Sequence, residues 1–265
     1  MIKNKGKKIV TEIYDNYDED SRLTRSRHGQ LEFFTTMTYI HKYLKPGMKV
    51  LEVGAGTGRY SIALAKEGYD VTAVELVKSN LAVLKKNAKG IKNISAFQGD
   101  ALDLSRFKND SFDMVLVLGP MYHLYSQDDQ NQAINEALRV AKTGATVMFA
   151  FLPLNSLIYG WGMEGNMKEA LEENFSSDFK TFLQYPEQRF TGFDIADFKK
   201  LFKGKNTTLL HLVATDSIMD LEEDRTNFEL SDEDFELFKK YHLATCEKVE
   251  LIGLSFHALY ICKKK

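Results

Sequence analysis

Hydrophobic and polar positions alternate between two regimes along residues 48–152. Short runs rich in Val, Ile, Leu, Phe and Met, with little polar alternation, occur at 48–53, 70–75, 94–98, 113–118 and 145–152. Such runs read as parallel strands covered on both faces. Between them lie amphipathic helical patterns. The clearest takes Asp128 as its N-cap and puts Ala133, Ile134, Ala137, Leu138 and Ala141 on one face, with Gly144 as its terminator. Repeated strand–helix–strand order implies an α/β fold with right-handed crossovers. After Pro153, helical patterns return at 166–175, 194–202 and 232–246, and strand-like runs at 207–218 and 254–262. No Pro/Gly/Ser-rich linker separates the two halves, so one domain is expected over 1–265. In it, 1–44 form a helical arm, 45–152 a binding core, and 153–265 complete the sheet, with lid or substrate insertions at 155–190 and 220–248.

The junction Glu52-Val53-Gly54-Ala55-Gly56-Thr57-Gly58-Arg59 carries the strongest chemical signal. A strand runs into three glycines at spacing two, and a helix follows. Glycines let the backbone take positive φ and approach a ligand closely, and the helix start offers unpaired N–H groups. A dinucleotide site would need G-x-G-x-x-G to seat a pyrophosphate. Here the third glycine comes one residue early and Arg59 takes its place. Glu52 beside the loop suits a cationic or zwitterionic ligand better than a pyrophosphate. The next strand ends in Glu75, a carboxylate able to accept from both hydroxyls of a ribose. Gly99-Asp100-Ala101 follows the third strand, where Asp100 either accepts from an adenine amino group or caps the loop. Leu118-Gly119-Pro120-Met121-Tyr122-His123 closes the fourth. All four lie at carboxyl ends of parallel strands, where open α/β sheets bind ligands.

In these motifs the sequence resembles the class I S-adenosylmethionine-dependent methyltransferases of small-molecule type. The resemblance implies a Rossmann-like open sheet of seven strands, mostly parallel, with helices on both faces and an antiparallel last strand. It further implies S-adenosylmethionine as cofactor, with Glu52, Gly54, Ala55, Gly56 and Gly58 around its methionine portion. Glu75 would take the ribose, Leu76 the adenine ring, and Gly99, Asp100 and Ala101 the adenine edge. Leu118 and Gly119 would line the transfer site. Relatives often fold an N-terminal arm over the cofactor, which points to Tyr14 and Tyr17, and to Arg27 as partner of its carboxylate. His123 is the leading general base and Tyr122 an orienting group; His257 and His28 are outsiders. Trp161, Tyr159, Phe175, Phe179 and Phe182 either wall an acceptor pocket or pack as core.

Composition narrows the acceptor. With 35 Lys+Arg against 37 Asp+Glu, the chain lacks the strongly basic balance of a nucleic-acid binder. Gly119-Pro120-Met121-Tyr122 also lacks the Asp or Asn that similar enzymes present to exocyclic amines of nucleobases. A small molecule is therefore the expected acceptor. The alternatives are an RNA or protein substrate, or a cofactor-binding regulator without catalysis. Only Cys246 and Cys262 occur, which excludes a disulfide framework, and no metal is expected. The first lysines are followed by no apolar run, and the uncharged stretch 143–163 is broken by glycines, Pro153 and Asn155. Neither a secretory leader nor a membrane span is expected, and the expected location is cytoplasmic.

Overall fold

Seven strands form one sheet: β1 (Lys49–Val53), β2 (Asp70–Glu75), β3 (Ile94–Gln98), β4 (Phe112–Val117), β5 (Ala141–Phe151), β6 (Thr207–Ala214) and β7 (Ala258–Lys264). The computed structural model describes residues 2–185, 187–223 and 227–265, with side chains from Gly6 onward. The order across the sheet is β3-β2-β1-β4-β5-β7-β6. β1 pairs in parallel with β2 and β4, whereas β7 runs antiparallel to both β5 and β6. Strand order reverses between β1 and β4, and in open α/β sheets a crevice forms at such a point beyond the carboxyl ends. The apolar runs supply the reason for the layers: Val50, Leu51, Val115 and Leu116 are fully buried, so both sheet faces need helical cover.

The arm comprises α1 (Ile2–Asp15), α2 (Arg22–Arg25) and α3 (Arg27–Tyr43). α3 buries Leu31 and Ile40 completely. Along the sheet follow α4 (Arg59–Lys66), α5 (Lys78–Asn87) and α6 (Gln127–Val140). α1 lies against α5, tied down where Ser79 Oγ donates to Asp15 at 2.6 Å and Asn87 donates to Asp20 at 2.8 Å. Beyond β5 come α7 (Leu154–Trp161), α8 (Ile195–Lys200), α9 (Met219–Glu223) and α10 (Asp232–Thr245). Among the described residues no helix is long and apolar enough to cross a membrane.

Several local expectations change. The N-cap of α6 is Ser126, whose Oγ accepts from the Asp129 N–H at 3.1 Å, and Asp128 sits in the first turn. That helix ends at Val140, so Gly144 is not its terminator. Gly144 lies inside β5 at φ +83°, where the register between β4 and β5 shifts. β6 stops at Ala214 rather than 218, and β7 starts at Ala258 rather than 254. The residues trimmed from these strands leave the ladder because their polar groups bond to one another, as described below. Residue 186 of the first expected insertion and residues 224–226 of the second lie outside the described residues.

Candidate active site

A cavity opens at the carboxyl ends of β1, β2, β3 and β4, roofed by the arm. Of the residues expected to hold the cofactor, together with His123 and Tyr122, all line it except Tyr17, Arg27 and Gly58. Its floor is the loop after β1. Gly54 and Ala55 donate their N–H groups to the Val74 carbonyl at 2.8 and 3.1 Å, which binds the loop to the end of β2. Gly54 has φ +75°, and a Cβ there would stand 2.6 Å from the Pro120 ring, so glycine is needed for close approach. Gly58, at φ +89°, is the N-cap of α4, and its Cβ would meet Leu84 at 2.7 Å. Its glycine serves helix–helix packing rather than the cavity wall.

Glu75 closes one side. Its two carboxylate oxygens accept from the N–H groups of Gly56 at 2.7 Å and Val77 at 2.8 Å. Burial nevertheless pushes its pKa up to about 7, against those two bonds. One strand further along, after β3, Asp100 accepts from the Leu102 N–H at 2.9 Å and pairs with Lys7 of the arm at 2.5 Å. Leu76, Gly99 and Ala101 form the adjoining wall. At the opposite side Leu118 and Gly119 lead into a short 3-10 turn, Pro120–His123.

Glu52 departs from its expected role as an anionic wall. It is buried, bonded to Ser61 Oγ, and burial raises its pKa to about 8. The folded state therefore favours the neutral acid, relative to an ordinary value of 4.5. The contribution to stability is complete below pH 4.5 and is lost as pH rises through about 8. Replacing Glu52 by Gln is expected to flatten this loss by up to about 1.4 kcal/mol per pH unit across that window. Urea unfolding of both proteins from pH 5 to 9 checks it; parallel curves would refute it.

Tyr122 and His123 line the cavity from the 3-10 turn. Tyr122 OH donates to the Leu118 carbonyl at 3.1 Å, and burial raises its pKa beyond the ordinary phenol range. Burial pushes His123 down to about 4, against a weaker pull from the Arg189 backbone, so its ring is neutral at pH 7. The Tyr14 hydroxyl lies 3.0 Å from His123 Nε2, and Phe190 packs 5.3 Å from the imidazole. Tyr14 is thus the arm's tyrosine in the cavity. Tyr17 is instead 40% exposed, its hydroxyl accepting from Arg25 at 2.7 Å. Arg27 turns away to pair with Asp232 and lie over the Phe235 ring, because α10 packs against its end of α3. The guanidinium in the cavity wall belongs to Arg22, held by Glu19 at 3.1 Å and by Glu32 at 2.6 and 3.1 Å.

Other expectations fall elsewhere. His28 bonds to Glu223 at 2.9 Å, outside the cavity. Tyr159 and Phe179 are exposed, while Phe175 and Phe182 pack on each other at 5.5 Å, and neither pair lines the cavity. Trp161 is also absent from its lining. The insertion reaches the site instead through residues 188–191: Tyr125 OH donates to the Gln188 carbonyl at 2.6 Å, and the Thr191 N–H donates to the Tyr122 carbonyl at 2.9 Å.

This strand order, a glycine loop after β1 and a carboxylate ending β2 together define a class I S-adenosylmethionine-dependent methyltransferase fold. Residues 50–144 match a family model described as a methyltransferase domain. It is 30% identical over 159 residues to a demethylmenaquinone methyltransferase of Lysinibacillus sphaericus, covering 56% of this chain and 63% of that one. It is 31% identical over 160 residues to a ubiquinone biosynthesis O-methyltransferase of Pseudomonas fluorescens, covering 57% and 66%. The chain spans less than two thirds of the length of both relatives. In fold it is similar to the magnesium protoporphyrin IX methyltransferase of Synechocystis, solved with bound S-adenosylhomocysteine: TM-score 0.59, 14% identity, 94% of this chain and 89% of that one.

Proposed function

We propose that this protein is an S-adenosylmethionine-dependent methyltransferase acting on a small-molecule acceptor and releasing S-adenosylhomocysteine, within one catalytic domain spanning residues 1–265. The observation that carries this reading is Glu75. Its carboxylate is fixed by two backbone N–H groups at the mouth of the glycine loop, beneath an arm that closes the cavity. Each carboxylate oxygen keeps a further lone pair for a ribose hydroxyl. Gly54 and Gly56 leave room for the methionine portion, Leu76 and Ala101 flank the adenine, and Asp100 takes its amino group. Glu19 and Arg22, side by side in the wall, suit the opposite charges of an amino-acid end.

When bound, the cofactor supplies a methyl group activated by its sulfonium, for in-line displacement. The chain's part is positioning and the exclusion of water. Leu118 and Gly119 form the apolar wall at the transfer end, and Tyr122 orients the acceptor. Neutral His123 receives the proton that an acceptor hydroxyl sheds as it is methylated; burial, which lowers its pKa to about 4, keeps the ring unprotonated and open to that proton at pH 7. The small-molecule reading is supported by the arm's closure, by the near-neutral charge, and by the names of the two curated relatives.

Calorimetry with S-adenosylhomocysteine is expected to show micromolar binding, and none at high protein concentration would refute the reading. Glu75→Ala is expected to weaken that binding about ten- to hundredfold, as for lost bonds to a charged group. Because Glu75 must be ionised to accept two hydroxyls, wild-type affinity should fall as pH drops below about 7. The fall approaches ~10-fold per unit, in proportion to the ionised fraction. In Glu75→Ala this dependence should vanish. A metabolite panel including quinol precursors, read by release of S-adenosylhomocysteine, then identifies the acceptor.

A further inference from the structure

Behind the cavity wall lies a buried chain of polar side chains that the proposed chemistry does not use. Arg22 commits its Nε–H to Glu19 and one N–H of each Nη to the two oxygens of Glu32 on α3. Of its five N–H donors two remain, on a side chain that lines the cavity. Glu32 Oε2 lies 3.5 Å from His257 Nδ1, which is 2.8 Å from Asp216 Oδ2. Asp216, fully buried just past β6, accepts from the His257 N–H at 3.1 Å and from Ser255 Oγ at 2.5 Å. Ser255 Oγ in turn accepts from the N–H groups of Asp216 and Ser217 at 3.1 and 3.0 Å. The chain thus runs from the backbone at the ends of β6 and β7 to the guanidinium in the wall.

By residue type Glu32, Asp216 and His257 could hold a metal ion, their ligand atoms lying within 4.8 Å of one another. Arg22, however, occupies both Glu32 oxygens, and a second cation would face its charge. Stability alone is a weak reason for such burial, since apolar side chains often serve a core as well or better. The two N–H donors left over, one on each Nη, leave the held guanidinium able to donate to a carboxylate oxygen in the cavity.

We propose that Glu32, His257 and Asp216 are positioning residues that hold the Arg22 guanidinium toward the carboxylate at the amino-acid end of the cofactor, and so set the preference for a ligand carrying that group. The inference rests on the function proposed above. The charges agree with it: Arg22 and His257 balance Glu32 and Asp216. Burial, opposed by Arg22 and His257, leaves the Glu32 carboxyl at about 2, firmly ionised. Glu19 accepts from Arg22 and also lines the cavity, where an ammonium would favour its charged form against the upward push of burial.

Two ligands separate positioning from mere structural support: S-adenosylhomocysteine, and 5′-methylthioadenosine, which keeps the adenosine and thioether but lacks the amino-acid end. In calorimetry Glu32→Gln and Asp216→Asn are each expected to weaken S-adenosylhomocysteine about tenfold, the scale of a charge-assisted hydrogen bond. Binding of 5′-methylthioadenosine should stay within about twofold, because it never reaches Arg22. Equal losses for both ligands, or no loss for either, would overturn the positioning role. If Glu32→Gln does not fold, His257→Gln decides with the same pair of ligands. Failure of the wild-type protein to bind either ligand would instead overturn the cofactor assignment itself.

Discussion

Gly56→Val is expected to abolish binding of S-adenosylhomocysteine while the protein stays folded. Gly56 sits at φ +54°, in the left-handed region, with its N–H donating to Glu75. The three heavy atoms nearest to a Cβ there all belong to the flexible Glu19 side chain, the first at 3.3 Å, so the branch finds room by filling the cavity. The strained backbone would also pull the N–H away from Glu75, loosening the carboxylate assigned to the ribose. Left-handed strain for a β-branched residue costs about 1–3 kcal/mol, which a chain of 265 residues can absorb. Gly54→Val would be a poorer probe, because the Pro120 ring at 2.6 Å would force the 3-10 turn carrying His123 to move. Calorimetry together with a thermal melt separates the two effects. Retained binding in Gly56→Val would show that the ligand does not pass over this loop.

Arg22→Met is expected to cost about 3–5 kcal/mol of folding stability, the usual penalty for removing one member of a buried ionic group. Glu32 is 6% exposed and accepts both guanidinium bonds, and Glu19 accepts the third. Without Arg22, His257 at 3.5 Å is left as the nearest positive group to Glu32. The loss should appear as a lower urea midpoint with unchanged slope. It should shrink once acid neutralises the stranded carboxylates. A change below about 1 kcal/mol, typical of exposed ion pairs, would mean that the group is solvated.

Much of the site could be read from residue types in order. The glycine loop, Glu75, Asp100 and the Gly119–His123 segment each follow an apolar run, so their place at strand ends needs only the recognition of parallel strands. The arm was legible as a helical segment, but not which of its side chains faces inward. Tyr14 and Tyr17, or Arg22 and Arg27, are equivalent by composition. Between each pair the decision falls to partners that the local pattern does not name: His123 for Tyr14, Glu32 for Arg22, and Asp232 for Arg27. The overrun of two expected strands has the same origin. Residues 215–218 and 254–257 look extended by pattern, yet Asp216, Ser255 and His257 bond to one another and leave the ladder.

The sequence by itself determined the α/β alternation, the turn able to take positive φ at three glycines, and the acid that ends β2. These depend on local periodicity and on backbone freedom, which neighbouring residues settle. The tertiary structure alone decided that Glu52 faces Ser61 as a nearly neutral acid, that Gly58 serves packing, and that Arg22 stands in the cavity wall. Each of these is a matter of burial and of which charges meet across long separations, and a buried ion keeps its charge only where the fold supplies its partner.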